Sequence, residues 1–189
     1  MFLNDEIHSI VSTVREGGLV LYPTDTVWGI GCNPFNSTAI SKLFGIKQQN
    51  NKKSFILLVN NQEMLKKYVP NIEPKIQNIL DYHTRPVTVI YEQVQHLPEY
   101  LFARDGSIAI RIIQDKFCQQ LISELGIPLV STTANIDTEP SPKVYSEVSP
   151  KIIQQMDYVV QYRQNDNTRE KPSVIIKLTS KEELIFIRK

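Results

Sequence analysis

Apolar runs of strand length alternate along this chain with amphipathic stretches of helical length, and that alternation limits the fold more than any other feature. Leu19–Tyr22, Phe55–Val59, Val87–Tyr91, Ser107–Ile112, Leu129–Thr132, Tyr158–Val160, Val174–Leu178 and Leu184–Ile187 read as strands. Leu3, Ile7, Ile10, Val11 and Val14 recur at three- and four-residue steps, one face of a helix that Asn4 would cap and Gly17-Gly18 would end. A second helix, capped by Asn36 or Ser37, would bury Ala39, Ile40, Leu43 and Phe44. Further helices fit Gln62–Tyr68, Pro74–Tyr82, Lys116–Leu125 closed by Gly126, and Ser146–Gln155. The pattern predicts an α/β fold, a sheet with helices packed on it, and leaves strand order open. The polar stretch Gln161–Lys171 predicts a mobile loop or a lid. Too little chain follows it for a second core, so residues 1–189 are expected to form a single domain.

Composition excludes several classes. Hydrophobic residues make up 41% and charged residues 22% of the 189, the balance of a soluble globular protein. Lys plus Arg is 21 against 20 for Asp plus Glu, so no global basic field pulls the surface onto nucleic acid. The opening MFLNDEIHSI lacks the basic flank and apolar core of a secretory signal, and no apolar run approaches bilayer length. A cytoplasmic location with no membrane partner is the expectation. Cys32 and Cys118 lie far apart without a Cys-x-x-Cys spacing, which speaks against a disulfide framework or a zinc site. His8, His83 and His96 share no motif, so neither a metal site nor a Ser-His-Asp triad is expected.

Four segments place polar side chains just beyond a predicted strand, where open α/β sheets usually bind ligands. Tyr22–Gly31 (YPTDTVWGIG) carries two hydroxyls, a carboxylate and glycines that allow close backbone approach, although Thr and Asp also bond their own backbone in ordinary turns. Lys47–Lys53, with Lys42 a turn earlier, could meet phosphates or form a solvated loop. Arg111 closes the apolar strand of SIAIR and suits a carboxylate, a phosphate or an internal salt bridge. Leu129–Asn135 (LVSTTAN) offers three hydroxyls and an amide, for a ligand or for the next turn. No Walker loop and no G-x-G-x-x-G after a strand is present. The residues by themselves describe an α/β domain that binds an anionic small molecule.

Taken in order, PTDTVWGIG, the Lys-rich stretch, PVTVI, GSIAIRI, PLVSTTAN and the late KPSVIIKL resemble the YrdC family of threonylcarbamoyl-AMP synthases over nearly the whole chain. The resemblance implies a YrdC-like fold, a twisted mixed open sheet with helices packed on it and a deep basic cleft. It implies a nucleotidyltransferase that makes threonylcarbamoyl-AMP and pyrophosphate from L-threonine, bicarbonate and ATP, with Mg2+ accompanying ATP. Partner transferase proteins would then pass the threonylcarbamoyl group to an adenosine beside the anticodon of tRNAs. No residue is expected as an acid or base, because a carbamate oxygen is already anionic; Lys47 and Lys53 would neutralise phosphates. Thr24, Thr26, Arg111 and Ser173 would bind threonine, and Thr88, Ser131, Thr133, Asn135 and Arg188 would join the two lysines around ATP. Three departures stand out: Gln49 where the family commonly has the arginine of Lys-x-Arg, Arg85 in place of a glycine, and Asp137-Thr138 in place of Ser-Gly. They motivate an alternative, a paralogue that binds tRNA, double-stranded RNA or nucleotide without completing the reaction, with Lys42, Lys47, Lys52, Lys53 and Arg85 lining its cleft. A carbamoyl-transfer module like that of hydrogenase maturation proteins is a third reading, disfavoured without companion domains.

Overall fold

The structure is a computed structural model that describes residues 2–47, 55–136, 139–179 and 183–189, with side chains from residue 6. Helix α1 (Phe2–Arg15) leads into β1 (Val20–Tyr22) and β2 (Gly29–Cys32), then α2 (Ser37–Lys47), β3 (Ile56–Val59), α3 (Gln62–Tyr68) and α4 (Pro74–Tyr82). The chain continues through β4 (Val87–Tyr91), β5 (Ile108–Ile112), α5 (Lys116–Leu125), β6 (Leu129–Thr133), α6 (Pro150–Ile153), β7 (Tyr158–Val159), β8 (Val174–Leu178) and β9 (Leu184–Arg188). The nine strands among the described residues share one sheet in the order β7-β1-β2-β6-β3-β5-β4-β8-β9. The pairs β1–β7, β3–β5 and β4–β8 are parallel and the other five antiparallel, so the sheet is mixed and open, with β7 and β9 at its edges.

Local chemistry explains most element ends. Asn36 caps α2, its Oδ1 accepting from the Ala39 N–H at 2.9 Å. Gly17, at φ 85°, ends α1: its N–H and that of Gly18 donate back to the carbonyls of Val14 and Thr13, a Schellman closure. Helix α1 packs beside α5, burying Ile7, Ile10 and Val14 with Leu121 and Leu125. Leu57, Leu58, Val89, Ile110, Leu129 and Val130 fill the centre of the sheet at 0–1% exposure. Each such side chain contributes about 1.5–3 kcal/mol by leaving water.

Three features differ from the sequence-based expectation. Strand β2 was not anticipated, because Gly-Ile-Gly-Cys has little strand propensity; pairing with β1 on one side and β6 on the other holds it. The expected helix Ser146–Gln155 breaks into a single 3-10 turn, Tyr145–Glu147, and the short α6, because Ser149 before Pro150 takes an extended conformation. Helix α1 begins at Phe2, ahead of the expected cap Asn4.

Candidate functional site

Strand register decides which side chains meet. Thr88 lies opposite Arg111 in the β4–β5 pair and opposite Ile175 in β4–β8, so these three share one face of the sheet. Val89, Ile110 and Ile176 take the other face and the core. Strand β9 joins the first face through a β-bulge. Phe186 opposes Ile176, but Arg188 rather than Ile187 opposes Ile175. In a regular ladder of the same sequence Ile187 would oppose Ile175, and Arg188 would fall opposite Val174 and point to the core side.

The turn after β1 reaches the same place. Thr24 and Thr26 are both 5% exposed. Thr24 Oγ1 donates to the Val27 carbonyl at 2.8 Å and accepts from the Thr26 N–H at 3.0 Å. Its one proton is thereby used, so in the 2.9 Å contact between the two hydroxyls Thr26 donates. Thr26 Oγ1 accepts in turn from Arg111 Nη1 at 3.3 Å. Arg111 Nη2 lies 3.2 Å from Asp25 Oδ1, and Asp25 Oδ2 accepts from the Gln114 N–H at 2.9 Å. The Asp25–Arg111 contact is an ion pair by distance, yet Oδ1 has no aligned hydrogen bond. Burial pushes the Asp25 carboxyl above its ordinary value, opposed by the Arg111 charge. Arg111 Nε is buried with no hydrogen-bond partner among the described residues.

Arg188 closes the group. Its Nε donates to the Ser173 carbonyl at 2.9 Å and its Nη2 to Ser173 Oγ at 3.0 Å, and Ser173 Oγ shares a 2.8 Å hydrogen bond with Thr88 Oγ1. Arg188 is exposed as a residue, but burial of its guanidinium and the charge of Arg111 both pull its pKa down. Two guanidiniums therefore face one small space. Thr24, Thr26, Arg111, Ser131, Thr133 and Arg188 line it together with Val27, Gly29, Ile56, Thr132 and Pro172, around a cavity of about 50 Å³. Ser131 is held by Tyr22, whose buried phenol donates to Ser131 Oγ at 2.8 Å and is kept protonated by burial. Tyr22 was not among the expected site residues; a tyrosine ending a strand two residues before Thr24 was the available signal.

Lys47 meets the end of β6 at Thr133 and Asn135 just after it. At 1% exposure, its Nζ donates toward four oxygens: the Thr133 carbonyl at 3.0 Å, Thr133 Oγ1 at 3.3 Å, the Asn135 carbonyl at 2.5 Å and Asn135 Oδ1 at 2.9 Å. An ammonium has three protons, so these acceptors saturate it. Thr133 Oγ1 donates to Asn135 Oδ1, and Asn135 Nδ2 to the Glu139 carbonyl at 2.5 Å. Lys47, Thr133 and Asn135 are thus brought together, as are Thr24, Thr26, Arg111, Ser173 and Arg188, with Thr88 behind Ser173. Lys42 and Arg85 are exposed and do not line the cavity. Gln49, Lys52, Lys53 and Asp137-Thr138 lie outside the described residues. Among the described residues no group of three or more His, Cys, Asp or Glu is placed to hold a metal ion, and no helix is long and apolar enough to cross a membrane.

The stretch Gln161–Lys171, expected to be mobile, is tied down through its first half. Tyr162 stacks on Phe117 of α5 with centroids 4.9 Å apart. Arg163 donates to the Thr24 carbonyl at 3.2 Å and to Asp166 at 2.8 Å. The Gln161 N–H donates to Glu6 at 2.5 Å.

The sequence matches the Sua5/YciO/YrdC family model, described as telomere recombination, over residues 12–189. It is 30% identical over 172 residues to the threonylcarbamoyl-AMP synthase of Pseudoalteromonas translucida, which covers 89% of this chain and 91% of that protein. The fold matches E. coli YciO with a TM-score of 0.85 at 22% identity, covering 97% of this chain and 88% of YciO. It also matches P. abyssi Sua5 complexed with L-threonine, with a TM-score of 0.82 at 22% identity over 96% of this chain. The match takes in 53% of that protein, so this chain spans about half of Sua5.

Proposed function

The chain belongs to the Sua5/YciO/YrdC family, and from that premise we propose that it is a threonylcarbamoyl-AMP synthase, a nucleotidyltransferase that converts L-threonine, bicarbonate and ATP into threonylcarbamoyl-AMP and pyrophosphate. The observation that carries this reading is the pairing of Arg111 and Arg188 over a hydroxyl-lined cavity, with Arg111 Nε buried and unpartnered among the described residues. Two neighbouring guanidiniums repel unless an anion lies between them, and a planar carboxylate suits the Arg fork. We assign them the α-carboxylate of threonine, with Thr24, Thr26 and Ser173 fixing the turn and the strand edge around it. The name of the P. translucida relative and the threonine carried by P. abyssi Sua5 support the same substrate.

In the reaction the threonine amine combines with bicarbonate to a carbamate, releasing water. A carbamate oxygen then bonds to the α-phosphorus of ATP as the bond to the β-phosphate oxygen breaks, and pyrophosphate leaves. The attacking oxygen is already an anion, so alignment and charge neutralisation do more here than proton removal. Ser131, Thr133 and Asn135 take the nucleotide side. Lys47, and Lys53 beyond the described residues, neutralise its phosphates. Lys47 reaches a phosphate by exchanging one of its four loop oxygens for it. Magnesium enters with the triphosphate as part of the substrate. In the cytoplasm, transferase proteins carry the product's threonylcarbamoyl group to tRNA.

Incubation with ATP, threonine, bicarbonate and magnesium is expected to release pyrophosphate only when threonine is present. Folded protein that binds ATP yet releases none would overturn the synthase reading and leave a nucleotide-binding paralogue.

A further inference from the structure

Strand β7 runs parallel to β1, with Val20 beside Tyr158 and Leu21 beside Val159. Parallel neighbours deliver the segments that follow them to the same end of the sheet. The turn that carries Thr24 and Thr26 leaves β1 there, and the stretch beginning at Gln161 leaves β7 there. Arg163 is where the two meet. Its Nη1 donates to the Thr24 carbonyl at 3.2 Å and lies 3.5 Å from Asp115 Oδ2, while its Nε pairs with Asp166 at 2.8 Å. Asp115 is itself fixed, because its Oδ1 caps α5 by accepting from the Cys118 N–H at 2.9 Å. Asp166 is fixed by the Thr168 N–H at 2.9 Å, and its bonds to Thr168 and Arg163 hold its carboxyl at about 2, charged throughout the working range.

The backbone at Arg163 has φ 65°, in the left-handed region that a side chain with a Cβ adopts at a cost. A glycine or asparagine would meet that geometry with less strain, yet the position holds a residue whose side chain reaches the turn. The Thr24–Thr26 turn is thus gripped from both sides: Arg111 holds it from within through Asp25 and Thr26, and Arg163 from without through the Thr24 carbonyl.

Resting on the synthase reading, we propose that Arg163 is a positioning residue for the amino-acid subsite, which sets the Thr24–Thr26 turn against Arg111 without touching substrate. The test compares wild type with Arg163→Gly and Arg163→Lys. Glycine removes the bond to Thr24 and relieves the positive φ, so the melting temperature is expected to hold or rise. The KM for threonine is expected to rise about tenfold, as for the loss of one well-placed charged hydrogen bond, with the KM for ATP within about twofold. Lysine keeps the charge and the reach but not the fork, and should restore part of the threonine affinity. An unchanged threonine KM in Arg163→Gly overturns the proposal. So does a fall in melting temperature with both KM values unchanged and kcat reduced, the pattern of lost active protein. If wild type shows no threonine-dependent turnover, the synthase reading fails by itself, and threonine binding by calorimetry decides on Arg163: weaker binding in Arg163→Gly supports it. Equal binding, or no threonine binding by wild type, overturns it.

Discussion

Two polar regions meet at the segment from Ser131 to Asn135, and they are built on opposite principles. On the Thr24–Thr26 side the groups are fixed but not satisfied: Arg111 Nε has no partner among the described residues, and Arg188 feels the charge of Arg111. On the Lys47 side, four oxygens of the protein itself surround one ammonium. The first region has its charge organised before any ligand arrives and gains by receiving an anion. The second has to give up an internal bond to meet a phosphate. Preorganisation lowers the ordering cost of binding, whereas exchange makes binding depend on how firmly the loop keeps its own partner.

The largest effect is expected where the first region is cut open. Arg111→Ala strands the Asp25 carboxylate, 8% exposed as a side chain, without its cation. Breaking a buried pair from one side costs about 3–5 kcal/mol, so urea unfolding should shift strongly and threonine binding by calorimetry should vanish. Threonine affinity that survives in Arg111→Ala would erase the distinction between the two regions. Next in size comes Lys47→Ala. It takes the Lys47 donor from the Asn135 carbonyl, while the Thr133 carbonyl keeps the Asn135 N–H, a loss of about 1–3 kcal/mol in stability, and ATP affinity is expected to fall about tenfold while threonine affinity stays within twofold. A stability loss with ATP affinity intact would make Lys47 an internal brace alone.

The two regions were not equally legible from sequence. Arg111 could be singled out because an arginine ending an apolar strand is unusual, and β4, α3, α4, α5 and β8 were read with the bounds they have, each having clear periodicity and end signals. Lys47 was legible as a cation but not its target, because the Thr133 and Asn135 oxygens lie more than 80 residues away in the chain. Arg163 could not be read at all: its meeting with Thr24 depends on β7 pairing in parallel with β1, and strand order has no local signature. The bulge that turns Arg188 to the site is hidden for the same reason, since Leu184–Ile187 reads as an unbroken apolar strand with nothing to mark an extra residue.

A smaller effect tests how tightly the cavity is drawn. A Cβ on Gly29 would lie 3.1 Å from Ser131 Oγ and 3.2 Å from the Thr132 carbonyl, closer than most such contacts. Gly29→Ala is expected to push β2 from β6 by a few tenths of an ångström, costing about 1 kcal/mol and raising the threonine KM severalfold. An unchanged KM would show that the cavity wall yields, and that the preorganisation resides in Arg111 and its partners rather than in the close fit of β2 and β6.

The smallest effect is expected from deleting Ile187, and its smallness is the point. In the present register Ile187 and Arg188 together oppose Ile175, while Phe186 opposes Ile176. Removing Ile187 restores a regular ladder in which Arg188 still follows Phe186 and still opposes Ile175, so its guanidinium keeps the face it shares with Thr88 and Arg111. Ile187 is 58% exposed, so little burial is lost with it. Threonine KM is therefore expected to stay within about twofold of wild type, against a clear rise in Arg188→Ala. A rise in the deletion as large as in Arg188→Ala would mean that register alone does not aim Arg188. The extra twist a bulge imposes on β9 would then be what brings the second guanidinium to the first.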